Sequence, residues 1–367
     1  MKQTVLILSN SLKGLYSFRK EVLKAICDAD YNVVLSVPEA GERAQYFESI
    51  GCRIVLTKLN RRGVNPLADF ALMLRYRKLI RKTNPVAVLT YTIKPNVYGG
   101  IACRLTKTPQ LANVTGLGDA MENGGWLQKL TMSLYKIGLS KAKKVCFQNI
   151  TNKNYFETHH IVNGSTILLP GSGVNLSHHT YQQYPQDNGK VRFLYIGRLL
   201  KDKGVEELFY AAEYIKEKYP NTEVQMIGPT DGTYQTKLDE LVKLGIVKHW
   251  GYTTDVRPFL KEVECTIMPS YHEGMSNVNL ESSANGRPVI TTNVPGCKET
   301  VDDGKTGYLV EVKNGRALAD AMEKFIMLTY NQKVEMGQEA RKKVEREFDR
   351  QMVVDTYLNE IKRIENV

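Results

Sequence analysis

The chain has 367 residues, of which 42% are hydrophobic and 24% charged. It is too long for a minimal module and too apolar for a disordered segment, and it suffices for about two domains, each with its own core. The formal charge of +11 is uneven: residues 1–185 hold 24 Lys and Arg against 10 Asp and Glu, a net of +14, while residues 186–367 hold 26 against 29, a net of −3.

In chain order, VLILSN (5–10), NVVLSV (32–37), CRIVLT (52–57), VAVLTY (86–91), QLANVT (110–115) and KVCFQN (144–149) read as strands, each followed by a segment long enough for a helix. VRFLYIG (191–197), EVQMIG (223–228), CTIMPS (265–270) and PVITT (288–292) repeat the rhythm. Repeated strand–helix units imply an α/β protein with two doubly wound, Rossmann-like parallel sheets covered on both faces. The expected layout is a first domain over 1–170, a Gly/Ser/Asn/Pro-rich linker over 171–189, a second domain over 190–345, and a C-terminal helix over 346–367 that packs back on the first domain. Such a tandem places function in a cleft at the carboxyl ends of the strands, on strand-to-helix loops.

No run approaches the roughly 18 apolar residues of a membrane span. The start MKQTVLILSN reads as a strand opening rather than a signal peptide, so a cytoplasmic location is expected. Cys27, Cys52, Cys103, Cys146, Cys265 and Cys297 stand singly, without disulfide or zinc spacing, and are expected as small core residues. No GxGxxG follows the first strand, and the GKT at Gly304 to Thr306 lacks the first glycine of a P-loop because Glu299 stands there. A nicotinamide or flavin enzyme and a P-loop NTPase are both disfavoured.

Two motifs carry chemistry. In HEGMSNVNLES, Glu273 and Glu281 are separated by seven residues. With a helix beginning near Asn277, one carboxylate lies on the loop and the other a turn inside, and the backbone of Gly274, Met275, Ser276 and Asn277 forms a nest for hydroxyls or phosphate. An exposed helix start favoured by its dipole explains the two glutamates equally well. In FLYIGRLLKDKG, Arg198 leaves a strand and Lys203 stands just before Gly204, so that two cations flank a helix start, as a diphosphate requires.

The combination of GR-x4-KG with E-x7-E in the second of two Rossmann-like domains resembles glycosyltransferase family 4, the retaining nucleotide-sugar enzymes of the GT-B fold. LTYTIKPNVYGG (89–100), NVTGLG (113–118), LLPGSGVN (168–175) and NGRPVITTNVPGCKETVDDGKTGYLV (285–310) are similar to the subgroup that extends polyprenyl-diphosphate-linked sugars in bacterial surface polysaccharides. The resemblance implies that Arg198 and Lys203 hold the donor's diphosphate, that Glu281 binds the ribose, and that Glu273 with the 274–277 backbone addresses the donor sugar. Gly197, Gly228 and Tyr252 join the donor set at strand ends, Tyr252 either under a nucleobase or as a packed loop aromatic. Gly14, on the first loop, would let its backbone approach the phosphates. The donor is expected to be a UDP-sugar, with no metal and no organic cofactor. TYTIKPN offers no histidine after the fourth strand, which fits a mechanism in which the donor phosphate takes the acceptor's proton. Lys94, Asn113 and Asp119, with Glu122, on loops expected to open to the cleft, are the acceptor-side candidates, and Asp119 fits a loop carboxylate without a role better than an acceptor contact.

The helix expected over about 125–143 carries Trp126, Leu130, Leu134 and Ile137 on one stripe and Lys129, Lys136 and Lys143 on another. It reads either as an interfacial helix for an anionic membrane or as a core helix with a wet side. With RYRKLIRK (75–82) and the +14 half, the expectation is peripheral attachment to the inner face of a membrane that presents a lipid-linked acceptor. Nucleic acid is disfavoured, since no aromatic-interleaved basic run accompanies the charge. A UDP-sugar 2-epimerase of the same fold and a non-catalytic sugar-nucleotide-binding module are the other readings.

Overall fold

The computed structural model describes residues 2–60, 65–116 and 125–366. It divides into two compact units, residues 1–172 with 351–367 and residues 173–350.

The first unit runs β1 (Thr4–Leu8), α1 (Leu12–Asp28), β2 (Asn32–Val37), α2 (Ala44–Ser49), β3 (Arg53–Leu56), α3 (Pro66–Thr83), β4 (Ala87–Tyr91), a π-helical turn (Pro95–Gly99) continuing into α4 (Gly100–Thr106), β5 (Gln110–Val114), α5 (Gly125–Leu139), β6 (Lys144–Phe147), α6 (Ile150–Thr158) and β7 (Ser165–Leu168). Its strands pair in the order β3-β2-β1-β4-β5-β6-β7, and every pairing is parallel. Leu12, Leu15, Val22, Leu23 and Ile26 give α1 one apolar stripe, which packs on the sheet. On the other face, Leu72, Tyr76 and Ile80 of α3 and Met132, Tyr135 and Leu139 of α5 close the core. Gly138 lets α5 touch the π-helical turn backbone to backbone, since a Cβ there would meet Val97 Cα at 2.5 Å.

The second unit runs β8 (Val191–Ile196), a 3-10 turn (Lys201–Lys203), α7 (Val205–Lys218), β9 (Thr222–Ile227), α8 (Gln235–Lys243), β10 (Val247–His249), α9 (Arg257–Glu262), β11 (Cys265–Met268), α10 (Asn277–Ala284), β12 (Val289–Thr292), β13 (Gly307–Val310), α11 (Gly315–Met327) and α12 (Tyr330–Glu347). The order is β10-β9-β8-β11-β12-β13, again all parallel. In each sheet the chain reverses its winding beside the first strand, between β1 and β4 and between β8 and β11. Open α/β sheets bind ligands outside the carboxyl ends at such a point.

The structure corrects some of the sequence expectations and bears out others. The segment 171–189 is no free linker: from Gly173 on it belongs to the second unit. Arg287, fully buried, donates to the carbonyls of Gln182, Gln183, Leu260 and Lys261 and so ties a segment without regular structure into the core. Tyr184 donates to the Glu264 carbonyl at 2.8 Å. The C-terminal helix expected to pack on the first domain is found as α13 (Arg350–Glu365), which follows α12 and from Gln351 on belongs to the first unit, where Val353, Tyr357 and Ile361 enter the core that α1 covers. Strands β7, β10 and β13 went unread in the sequence. Against the core reading of α5, the stripe Trp126, Leu130, Leu134 and Ile137 is not its main core face: Leu130 and Leu134 are half-buried, Leu134 at the edge of the core, while its two ends are exposed. Trp126 is 73% and Ile137 47% exposed, and Lys129 and Lys136 are exposed beside them. Helix α3 likewise turns Leu67, Phe70 and Leu74 outward. Five cysteines are buried and Cys27 half-buried. No helix among the described residues is long and apolar enough to cross a membrane.

Candidate active site

Topology brings the two motifs of the second unit together. Arg198 and Lys203 leave β8, Glu273 leaves β11, and these strands are neighbours at the reversal point. The Tyr271 N–H donates to the Asp202 carbonyl at 2.9 Å and joins the two exits. Lys203 Nζ then lies 2.8 Å from Glu273 Oε1 and 3.5 Å from Ser270 Oγ, and Ser270 Oγ donates to the same carboxylate oxygen at 3.0 Å. Lys203 is 15% and Glu273 19% exposed, so the pair is held and yet reachable. Gly204 follows at φ +70, where a Cβ would stand 2.0 Å from the Pro269 carbonyl oxygen. Only glycine permits that closure. Arg198 is exposed, and its carbonyl is fixed by the Tyr195 hydroxyl at 2.7 Å.

Helix α10 starts beside this pair. Ser276 caps it, its Oγ accepting from the Asn279 N–H at 3.3 Å, while its own N–H donates to the Gly296 carbonyl at 2.7 Å. The Ser276 N–H is therefore spent inside the protein, which corrects the expected nest. Met275 packs its side chain among Val174, Leu280, Ala284, Val344 and Phe348 and offers a ligand only its backbone. Asn277 donates from Nδ2 to the Met275 carbonyl at 3.3 Å, and the first-turn N–H groups of α10 from Asn277 on have no helical acceptor. Gly274 lies on the loop between Glu273 and this start.

Glu281 projects from the next turn. Its side chain is 28% exposed, yet burial raises its pKa to about 7, with Arg350 opposing the rise. His179 Nε2 lies 4.0 Å from its carboxylate, while Asn285 Nδ2 donates to His179 Nδ1 at 3.1 Å. An amide NH2 can only donate, so Nδ1 accepts and the ring carries its proton on Nε2, facing Glu281. Burial lowers the His179 pKa to about 4, so this ring is neutral at physiological pH. The expected glycines have structural reasons: a Cβ on Gly228 would meet the Gly197 carbonyl oxygen at 1.8 Å, so the ends of β8 and β9 touch there. Tyr252, on the loop after β10, is 63% exposed, and the Gly251 carbonyl before it accepts from the Gly228 N–H at 2.8 Å. Ser270, His179 and Asn285 were missed in the sequence, where nothing distinguishes them from other polar loop residues.

The first unit repeats the arrangement at its own reversal point. Thr92, leaving β4, sits at φ +74, a strained conformation for a β-branched residue. Lys94 follows, its Nζ 2.7 Å from Asp69 Oδ1 of α3, and Tyr98 donates to Asp69 Oδ2 at 3.1 Å. The pair is more closed than that of Lys203, with Lys94 14% and Asp69 6% exposed. Asn113 is corrected: it lies inside the core at the end of β5, donating to the Thr90 carbonyl and accepting from the Tyr357 hydroxyl. Gly14 is in the first turn of α1 rather than on a loop, and its N–H donates to the capping Ser11 Oγ at 3.0 Å. Asp119 and Glu122 lie outside the described residues. Among the described residues no three His, Cys, Asp or Glu side chains gather as a metal site.

Comparison with known proteins agrees with this geometry. Residues 5–149 match the family model "Glycosyl transferase 4-like" and residues 179–343 match "Glycosyl transferases group 1". The chain belongs to the group 1, family 4-like glycosyltransferases. This glycosyltransferase is 24% identical over 347 residues, 90% of each chain, to the N,N'-diacetylbacillosaminyl-diphospho-undecaprenol alpha-1,3-N-acetylgalactosaminyltransferase of Campylobacter jejuni. It is 27% identical over 325 residues, 80% of each, to the capsular polysaccharide biosynthesis glycosyltransferase CapM of Staphylococcus aureus. Its fold is that of the GT-B structures: HepE from Anabaena bound to UDP and glucose matches at TM-score 0.76 with 15% identity over 98% of this chain and 99% of that one. Sucrose-phosphate synthase from Thermosynechococcus elongatus matches at 0.77 with 18% identity over 99% and 98%.

Proposed function

We propose that the glycosyltransferase moves a hexose or N-acetylhexosamine from a UDP-sugar to a polyprenyl-diphosphate-linked saccharide in bacterial surface-glycan assembly, with retention at the anomeric carbon and without a metal. The observation that carries this reading is the Lys203–Glu273–Ser270 cluster beside the start of α10, with Glu281 one turn on. The bond from the anomeric carbon to the diphosphate breaks, the acceptor oxygen bonds to that carbon on the same face, and its proton goes to the departing phosphate. Lys203, Arg198 and the α10 N–H groups meet the charge that grows on the diphosphate, the largest catalytic need of such a step. Glu281 as a carboxylate accepts from the ribose hydroxyls, and Glu273 addresses the sugar. Among the described residues, Lys94 is the acceptor-side candidate that remains.

The relatives' printed names support the acceptor class, since one acts on a diphospho-undecaprenol-linked sugar and another serves capsule synthesis. The outward apolar stripes of α3 and α5, flanked by Lys129 and Lys136, support peripheral attachment to the membrane holding that acceptor. Nucleoside-diphosphate release from a panel of UDP- and GDP-sugars, with and without the lipid-linked acceptor and a chelator, tests the reading. Release that needs the acceptor, survives the chelator and collapses in Lys203→Ala and Glu281→Ala is expected. Release without acceptor, or a sugar recovered as its epimer, would sink it.

A further inference from the structure

At the amino end of β5 and β6, opposite the carboxyl ends of the strands where the candidate residues lie, the first unit has a cavity of about 660 Å³. Arg104, Lys107, Lys141 and Lys143 line it with Ser140 and Asn163, and no Asp or Glu shares the lining. All four cations are exposed, and none has a carboxylate partner among the described residues. Arg104 Nη1 donates to Ser140 Oγ at 3.2 Å, which orients one wall. Helices α4 and α5 both end here, and the simplest account of the charge is that it balances their dipoles. Two helix ends carry only about half a negative charge each, so at most about one of the four cations is accounted for. Lys107 also occupies the left-handed position after α4, at φ +57, where glycine or asparagine is usual. A cation is thus held over the cavity against backbone preference.

The cavity's surroundings say which anion. Leu105 at its rim and Ile137, one turn before Ser140, are both exposed, and Ile137 ends the outward apolar stripe of α5. A phosphate bound here would be carried by a molecule with an apolar part alongside. We propose that this cavity binds the phosphate of an anionic lipid headgroup, next to the apolar stripe of α5 laid on the same membrane. The proposal rests on the reading of peripheral attachment and adds to it a specific headgroup site, separate from the site of transfer.

Flotation of the full chain on phosphatidylcholine vesicles, with and without phosphatidylglycerol, tests both. Lys141→Glu/Lys143→Glu is compared with Arg53→Glu/Lys58→Glu, which makes the same charge change at the opposite edge of the sheet. The cavity variant is expected to lose affinity for anionic vesicles roughly 30-fold or more, while the control loses far less. Equal losses in both variants would overturn the cavity and leave diffuse attraction, with attachment intact. A wild-type chain that floats on neither vesicle would overturn attachment itself. Titration with inorganic phosphate, read by amide shifts at Thr108, Ser140 and Asn163, separates the sources. Saturable shifts lost in the cavity variant support the site. If such shifts occur without any preference for phosphatidylglycerol, free phosphate is the ligand and the lipid assignment falls.

Discussion

Lys94 with Asp69 and Lys203 with Glu273 are two versions of one arrangement. In each unit a lysine leaves a strand at the reversal point, meets a carboxylate at 2.7 or 2.8 Å, and shares it with a hydroxyl, from Tyr98 in one case and Ser270 in the other. They differ in what surrounds them. Asp69 is brought by a helix packed on the sheet and is 6% exposed, whereas Glu273 rides a loop and is 19% exposed. The more closed pair has fewer alternatives to its partner, and so breaking it should be felt first in stability. The more open pair can exchange its contacts for a ligand's, and breaking it should be felt in catalysis.

The largest expected effect breaks the closed pair. Asp69→Ala strands the Lys94 ammonium and should lower unfolding free energy by about 3–5 kcal/mol in urea denaturation, with Lys94→Met on top restoring much of it. Lys203→Ala should instead cost roughly 2.7–4 kcal/mol of transition-state stabilisation, about 100- to 1,000-fold in kcat, with a much smaller shift in the urea midpoint. A Lys203→Ala chain that unfolds early but turns over normally would reverse the assignment of the two pairs.

Glu281 adds a pH signature to the second unit. Its folded pKa of about 7 stands above the ordinary 4.5, so the folded state holds this proton more tightly than the unfolded one. Its contribution to stability is complete below about 4.5 and is lost as pH rises through 7. Glu281→Gln should therefore stabilise the chain at pH 8, by on the order of 1–3 kcal/mol, and be near neutral at pH 4. Donor affinity, which uses the carboxylate, should rise through pH 7 in the wild type and stay flat in the variant, as read by calorimetry. His179 runs the other way: with its pKa lowered to about 4, the stability tied to its neutral form is lost as pH falls from 6.5 to 4. The smallest effects are the caps. Ser11→Ala on α1 and Ser276→Ala on α10 should each cost about 1 kcal/mol of stability, and only the second should raise the KM for the donor.

The strands read from sequence include every central one and the edge strand β3, and β7, β10 and β13, which were not read, all lie at sheet edges. Central strands are buried on both faces and appear as continuous apolar runs, while an edge strand of three or four half-exposed residues leaves no such run. The helix starts were legible for a similar local reason, because Ser276 and the glycine after Lys203 act within a few residues of themselves. Partners were not: Asp69 precedes Lys94 by 25 residues, and Ser270 and Glu273 follow Lys203 by about 70. Asn113 reads as an acceptor-side candidate although it falls inside the strand expected over 110–115, and its buried contact is with Tyr357, 244 residues away.

By itself the sequence determined the alternation of strand and helix, the family motifs and the confinement of the excess positive charge to one half, because each is a property of the residues in order along the chain. The tertiary structure decided which charges meet and which face of α5 stays wet. Periodicity shows that Trp126, Leu130, Leu134 and Ile137 share a stripe, but Met132, Tyr135 and Leu139 form another of equal quality. Only the packing of α5 against the π-helical turn, at the separation Gly138 allows, selects the second for the core.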